Sequence, residues 1–179
     1  MLTAILLMAA AGVPAGAAET TVELTGYTKQ GGYALLYIDD AVVPGKIRFT
    51  IEVQAPAQGQ VVGLFVNFLV PPPGGFTVAS VTGTGVTKVA FDTKDLGQGN
   101  NVNPSPSERP KGVFDLGVAL SGGGQEEFLM DNPGGVWDCY SFGPFAMRVE
   151  RSGGAAVKLY GVPVLPLAKR PGRGDKRAE

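Results

Sequence analysis

The side chains best suited to chemistry in this chain are carboxylates and amides. They are densest in FDTKDLGQGNNVNPSPSERPKGVFDLGVAL, residues 91–120. From Asp92 to Asp138 there are eight carboxylates against three basic residues, a local balance of −5. A hard cation such as Ca²⁺ takes about six to eight oxygen ligands from carboxylates, amide carbonyls and backbone. Asp92, Asp95, Asn100, Asn101 and Asp115, with Asn103 beside them, supply such oxygens if the stretch folds back across the strand ends. Gly97 and Gly99 let backbone carbonyls approach closely. The spacing matches neither an EF-hand loop nor a Gly-rich nonapeptide repeat. Asn, Asp, Gly and Pro are also the ordinary residues of connections, for backbone reasons unrelated to metal. The stretch therefore reads first as a long solvated loop and second as a calcium site.

A second cluster is aromatic. VWDCYSFGPF places Trp137, Tyr140, Phe142 and Phe145 close together. Aromatics beside polar residues stack on sugar rings, so Trp137 and Tyr140 are the candidate ligand-binding pair; core packing with a polar handle at the edge is the alternative. Cys139 is the single cysteine, which excludes an internal disulfide or a Cys-rich metal site. It reads as a half-buried small hydrophobe.

The chain has no histidine. That removes Ser–His and Cys–His catalysis and His-ligated zinc or haem. A carboxylate pair is the remaining simple route, as in glycoside hydrolysis. Glu126, Glu127, Asp131 and Asp138 are close in sequence, but adjacent Glu residues point to opposite sides of a strand. No enzymatic activity is expected. GTGVTK and SGGGQ lack the spacing of a nucleotide fingerprint.

The elements that must position these residues are strands. Gly (27) and Pro (14) are abundant, yet hydrophobic residues make up 44% of the chain. This balance suits many short strands joined by tight turns. In KIRFTIEVQ, Ile47, Phe49, Ile51 and Val53 alternate with polar residues, the period of a half-buried strand. VVGLFVNFLV is apolar on both faces and stopped by PPPGG. FTVASVTG and VTKVAF read as a hairpin-like pair. TTVELTG, YALLYI, the stretch around Phe114–Leu120, GPFAMRVER and AAVKLYGV complete about nine strands. The expectation is an all-β, antiparallel β-sandwich of jelly-roll or Ig-like topology.

The domain is expected over residues 19–165. MLTAILLMAAAGVPAGAAET has no charge before Glu19, and its apolar run fits a signal peptide over residues 1–18. No later stretch is long and apolar enough to span a bilayer. PLAKRPGRGDKRAE, residues 166–179, carries five basic and two acidic residues and reads as a disordered basic tail. It is too short and isolated to argue for nucleic-acid binding.

The motif order from Gly59 to Gly161 resembles secreted bacterial β-sandwich domains of exosortase-sorted (PEP-CTERM-type) proteins, which also occur beside haemolysin-type calcium-binding repeats. The residues that carry the likeness are GQVVGLFVNF, FTVASVTGTGVTKVAFD, DLGQGNNVN, FDLGVALSGG, FAMRVERSGG and VKLYG. Members often carry an acidic pair in a Gly-Lys-Asp-Asp context after the FDLGV-like strand; here GGGQEEF offers Glu126 and Glu127. VPVLPLAKRPGRGDKRAE has the basic end of that family's sorting signal without its helix, which turns the expectation toward free secretion. The resemblance implies a matrix or surface module. The expected function is non-catalytic adhesion or binding of an extracellular polysaccharide, with calcium as a structural ion. Self-assembly through strand edges is the first alternative, and a carbohydrate-active enzyme the second.

Overall fold

Alternation of apolar and polar residues sets the strands. A computed structural model describes residues 18–26, 32–54, 59–102, 113–153 and 156–164. It contains ten strands: β1 (Glu19–Gly26), β2 (Tyr33–Asp39), β3 (Lys46–Gln54), β4 (Gln60–Phe68), β5 (Val81–Thr82), β6 (Val86–Thr93), β7 (Phe114–Leu120), β8 (Gln125–Asp131), β9 (Phe142–Glu150) and β10 (Ala156–Gly161). In β3 the expected inward set Ile47, Phe49 and Ile51 is fully buried. The apolar β4 is buried on both faces, because its second face is covered by a loop rather than by solvent. Two 3₁₀ turns, Val78–Ser80 and Pro133–Gly135, are the helical elements among the described residues. Residues 1–17 of the expected signal peptide, Asn103 and the expected tail over 166–179 lie outside the described residues.

The all-β antiparallel class is as expected; the two-sheet sandwich is not. All ten strands form one sheet in the order β5-β8-β3-β2-β1-β10-β9-β4-β7-β6. The sheet is nearly closed and barrel-like. Two features join what would otherwise be two facing sheets of five strands. The first is a short ladder between the first and last strands, with Thr25 opposite Tyr160 and Gly26 opposite Leu159. Gly161 permits this approach, since a Cβ there would meet the backbone carbonyl of Glu23. The second is the turn Gly83–Gly85, which links the two terminal strands of the sheet directly. There Val86 N–H donates to Gly83 O (3.1 Å) and Ser121 N–H to Gly85 O (2.7 Å). The turn ties the sheet's ends without pairing them.

Two further elements depart from expectation. FTVASVTG is mostly the 3₁₀ turn Val78–Ser80 and contributes only the two-residue β5. QEEFLMD, which the nine expected strands leave out, is the full strand β8, paired with β3 along Lys46–Glu52.

Inside the barrel a single apolar cluster draws residues from every strand except β6, whose Val86 and Val89 pack against it partly buried. Phe49 lies at its centre, stacked on Phe128 (4.9 Å between ring centroids, 2° between planes) and edge-on to Phe142 (5.1 Å). A smaller second cluster lies on the outer face of β4, β7 and β9. Phe65, Phe114, Ala119 and Ala146 face outward there and are roofed by Leu96 and Val102. At the barrel rim, Asp40 accepts from the N–H groups of Ala18 (2.8 Å) and Cys139 (3.1 Å), fastening the start of β1 to the 137–141 turn.

Candidate functional site

The stretch after β6 folds as a roof. Its turns are closed by its own backbone: Leu96 N–H donates to Asn100 O (2.8 Å), Asn100 N–H to Gly97 O (2.9 Å) and Val102 N–H to Lys94 O (3.1 Å). Leu96 and Val102 supply the apolar underside, and the polar side chains fix the edges. Asp95 accepts from Gly97 N–H (2.8 Å). The Asn100 amide donates to Val62 O while its own Oδ1 is buried without a partner among the described residues. Asn101 accepts from the Lys158 ammonium (3.0 Å). Burial, with Arg148 nearby, holds Lys158 below the usual lysine range. Asp95, Asn100 and Asn101 are thus committed to turn and roof.

The other two candidate ligands lie elsewhere. β6 and β7 pair through Phe91 with Leu116 and Thr93 with Phe114, and Asp92 and Asp115 are the residues between these pairs. Asp115 takes over the ladder where β4 and β7 diverge. Its carboxylate accepts from Phe68 N–H (2.7 Å), and its own N–H donates to Asn67 Oδ1 (3.0 Å). Asp92 has no hydrogen-bond or ion-pair partner among the described residues and adopts φ = 49°, a left-handed conformation uncommon for a non-glycine residue. The five candidate calcium ligands therefore separate into two groups and do not converge on one cation. Among the described residues no three His, Cys, Asp or Glu side chains gather around a common point.

Asp92 and Asp115 are the polar members of an open cleft of about 460 Å³ at one end of the barrel. Its remaining walls are Phe68 and Leu69 at the end of β4, Pro71 and Pro72 in the following loop, and Phe76 and Phe91. The prolines that stop β4 hold this wall extended with no N–H to satisfy. Phe76 is set by its N–H to Pro73 O (3.1 Å) and by the turn that follows, where Thr77 N–H donates to the Ser80 hydroxyl (3.1 Å). Phe91 is 37% exposed and Leu69 50% exposed. The Phe76 and Phe91 rings meet edge to face at 5.9 Å. The cleft thus combines an open aromatic surface with two carboxylates. A second cleft of about 490 Å³ lies along the roof edge. It holds no aromatic residue, and its Lys88 already donates to Leu96 O (2.8 Å).

Trp137 sits behind the aromatic cleft, not in it. It is 3% exposed, its indole packed against Phe68 (5.2 Å), Phe76 (5.0 Å) and Phe142 (5.1 Å), with its N–H donated to Val70 O (3.1 Å). Asn132 brackets its backbone, accepting from Trp137 N–H (2.9 Å) and donating to Trp137 O (2.8 Å). No face is open to a sugar ring. Tyr140 is half-buried and packs against the core, and Cys139 is fully buried. Phe91 has the exposure that sequence reasoning assigned to Trp137.

Glu126 and Glu127 lie on opposite faces of β8. Glu127 reaches toward Arg48 (3.9 Å), whereas the Glu126 carboxylate lies over Gly85 at the closing turn. They do not face one substrate position. Comparisons with protein-family models, curated proteins and solved structures find no match.

Proposed function

We propose that the chain is a non-catalytic module, secreted or held at the cell surface, that binds an extracellular polysaccharide in the Phe76–Phe91 cleft. The observation that carries this reading is the open aromatic and proline surface next to polar acceptors. A pyranose presents an apolar C–H face to rings and hydroxyls to carboxylates, and a largely pre-formed apolar concavity with few polar groups suits such a ligand. The motif order over residues 59–161 and the apolar leader support the extracellular setting. No helix among the described residues is long and apolar enough to cross a membrane.

The test is co-sedimentation of the protein with a panel of insoluble polysaccharides. Phe91→Ala should abolish retention on whichever polymer binds. Because Phe91 is partly exposed, the same change should alter stability by only ~1 kcal/mol or less. Retention unchanged in that variant would remove the cleft from the mechanism.

Calcium, if it binds, has two of its five expected ligands, Asp92 and Asp115, in one cleft. Thermal unfolding in excess calcium and in chelator tests it. A site at about a hundredfold saturation adds ~2.7 kcal/mol, or several degrees at ~2–4 °C per kcal/mol for a chain of this size. Coincident melts would leave Asp92 and Asp115 to the ligand alone.

The second reading, self-assembly, rests on β6. Among the described residues no strand pairs with its outer edge, Val86 to Thr93, whereas β5 at the other end of the sheet offers two residues. Lys88 and the left-handed Asp92 both blunt such an edge. Oligomers that grow with concentration in light scattering would favour assembly.

A further inference from the structure

The walls of the Phe76–Phe91 cleft restrict the charge of what enters it. Asp92 and Asp115 lie on neighbouring strands between the Phe91–Leu116 and Thr93–Phe114 pairs and both line the cleft, where their like charges repel. Among the described residues no basic side chain lines the cleft. Asp115 has one oxygen on Phe68 N–H, its other oxygen has no partner among the described residues, and Asp92 has none at all. A neutral sugar offers hydroxyls but leaves the repulsion in place, and an anionic one adds to it. A ligand with a positive charge beside an apolar face removes it and gains a cation–π contact with the exposed Phe91 ring.

Resting on the polysaccharide reading above, we infer that the ligand is a polysaccharide with free amino groups, a de-N-acetylated hexosamine polymer. Its ring C–H face lies on Phe91 and its ammonium sits between Asp92 and Asp115. An amino sugar holds charge and apolar face on one rigid ring, matching the presence of Phe91 and Asp92 in one cleft. A lysine side chain has the same charge on a flexible stem, whose ordering costs more conformational entropy. The repeat of the polymer supplies further rings for Leu69 and the Pro71–Pro72 wall.

The experiment is isothermal titration of the full chain with four soluble probes: glucosamine oligomers, N-acetylglucosamine oligomers, a neutral β-glucan oligomer and oligolysine of similar length. The amine-bearing sugar should bind at least about tenfold more tightly than its acetylated counterpart, the scale of one charge-assisted hydrogen bond. Asp92→Asn should erase that preference. Asp92→Gly, which relaxes the left-handed backbone, should erase it too while keeping the melting temperature, so a folding defect is excluded. Equal binding of all three sugars would overturn the amine assignment and leave the polysaccharide reading standing. Binding of none would overturn both. Tighter binding of oligolysine than of the amino sugar would replace the polysaccharide by a basic peptide. A preference that survives both Asp92 variants would also overturn the assignment.

Discussion

Phe49→Ala is expected to lose about 3–5 kcal/mol of stability, the upper range for truncating one buried side chain. Phe49 is fully buried and makes two aromatic contacts at once, a parallel stack with Phe128 and an edge contact with Phe142. Those rings belong to β8 and β9, which approach β3 from different parts of the sheet. Alanine would leave a cavity among groups anchored to three strands, so collapse around it is limited and the full transfer and cavity terms apply. At ~2–4 °C per kcal/mol the midpoint should fall by roughly 6–20 °C, read by circular dichroism. Phe49→Leu should lose well under half as much. A fall of less than ~1 kcal/mol for the alanine variant would mean that this stack is not the centre of the core.

Gly161→Ala should lose about 1–3 kcal/mol. The added methyl group would meet the Glu23 carbonyl and the Val22 side chain, and a backbone carbonyl in a strand cannot swing aside as a side-chain end can. The strain falls on the short β1–β10 ladder, the place where the sheet closes on itself. Hydrogen exchange should accelerate first at the amides of Thr25 to Gly26 and Leu159 to Gly161, and less at β3. Gly74→Ala is the control: a Cβ there has open space, and the change should stay within about 0.5 kcal/mol of neutral. Equal effects at the two glycines would show that the close approach at Gly161 is relaxed in solution.

The strands that could be read from the sequence are those whose alternation is long enough to exceed noise. In β3 the alternation holds from Ile47 to Ile51, with Ile47, Phe49 and Ile51 buried, whereas β7 and β9 also bury Gly117, Ala119 and Ala146 beneath the roof. β8 escaped because it opens on Gln125, Glu126 and Glu127, leaving only Phe128 and Met130 as buried positions. Closure into a barrel was not legible. It depends on how nearly β10 approaches β1 at Gly161, a contact between residues more than a hundred positions apart.

The polar stretch after β6 carries a local sign of its role as a roof. Leu96 and Val102 are apolar residues inside a run of Asp, Asn and Gly, as a loop that covers a second core requires. The cleft itself is assembled from the end of β4, the proline loop, the end of β6 and the start of β7, and no local spacing announces such a meeting. Trp137 drew attention because it is rare. Its bracketing by Asn132 and its N–H bond to Val70 O, which together hold it inward, are invisible to composition.

That inward position has an optical consequence. The chain has one tryptophan, so its emission belongs to a single site and needs no deconvolution. A dry indole among Phe68, Phe76 and Phe142 should emit far to the blue of a solvated one. Phe76 is both a neighbour of that indole and a wall of the cleft, and the Val70 carbonyl that receives the indole N–H follows Leu69 on the opposite wall. An occupant that shifts either wall by a few tenths of an ångström should change the intensity or wavelength of that emission. The protein thus carries its own spectroscopic reporter, one ring removed from the surface it reports on.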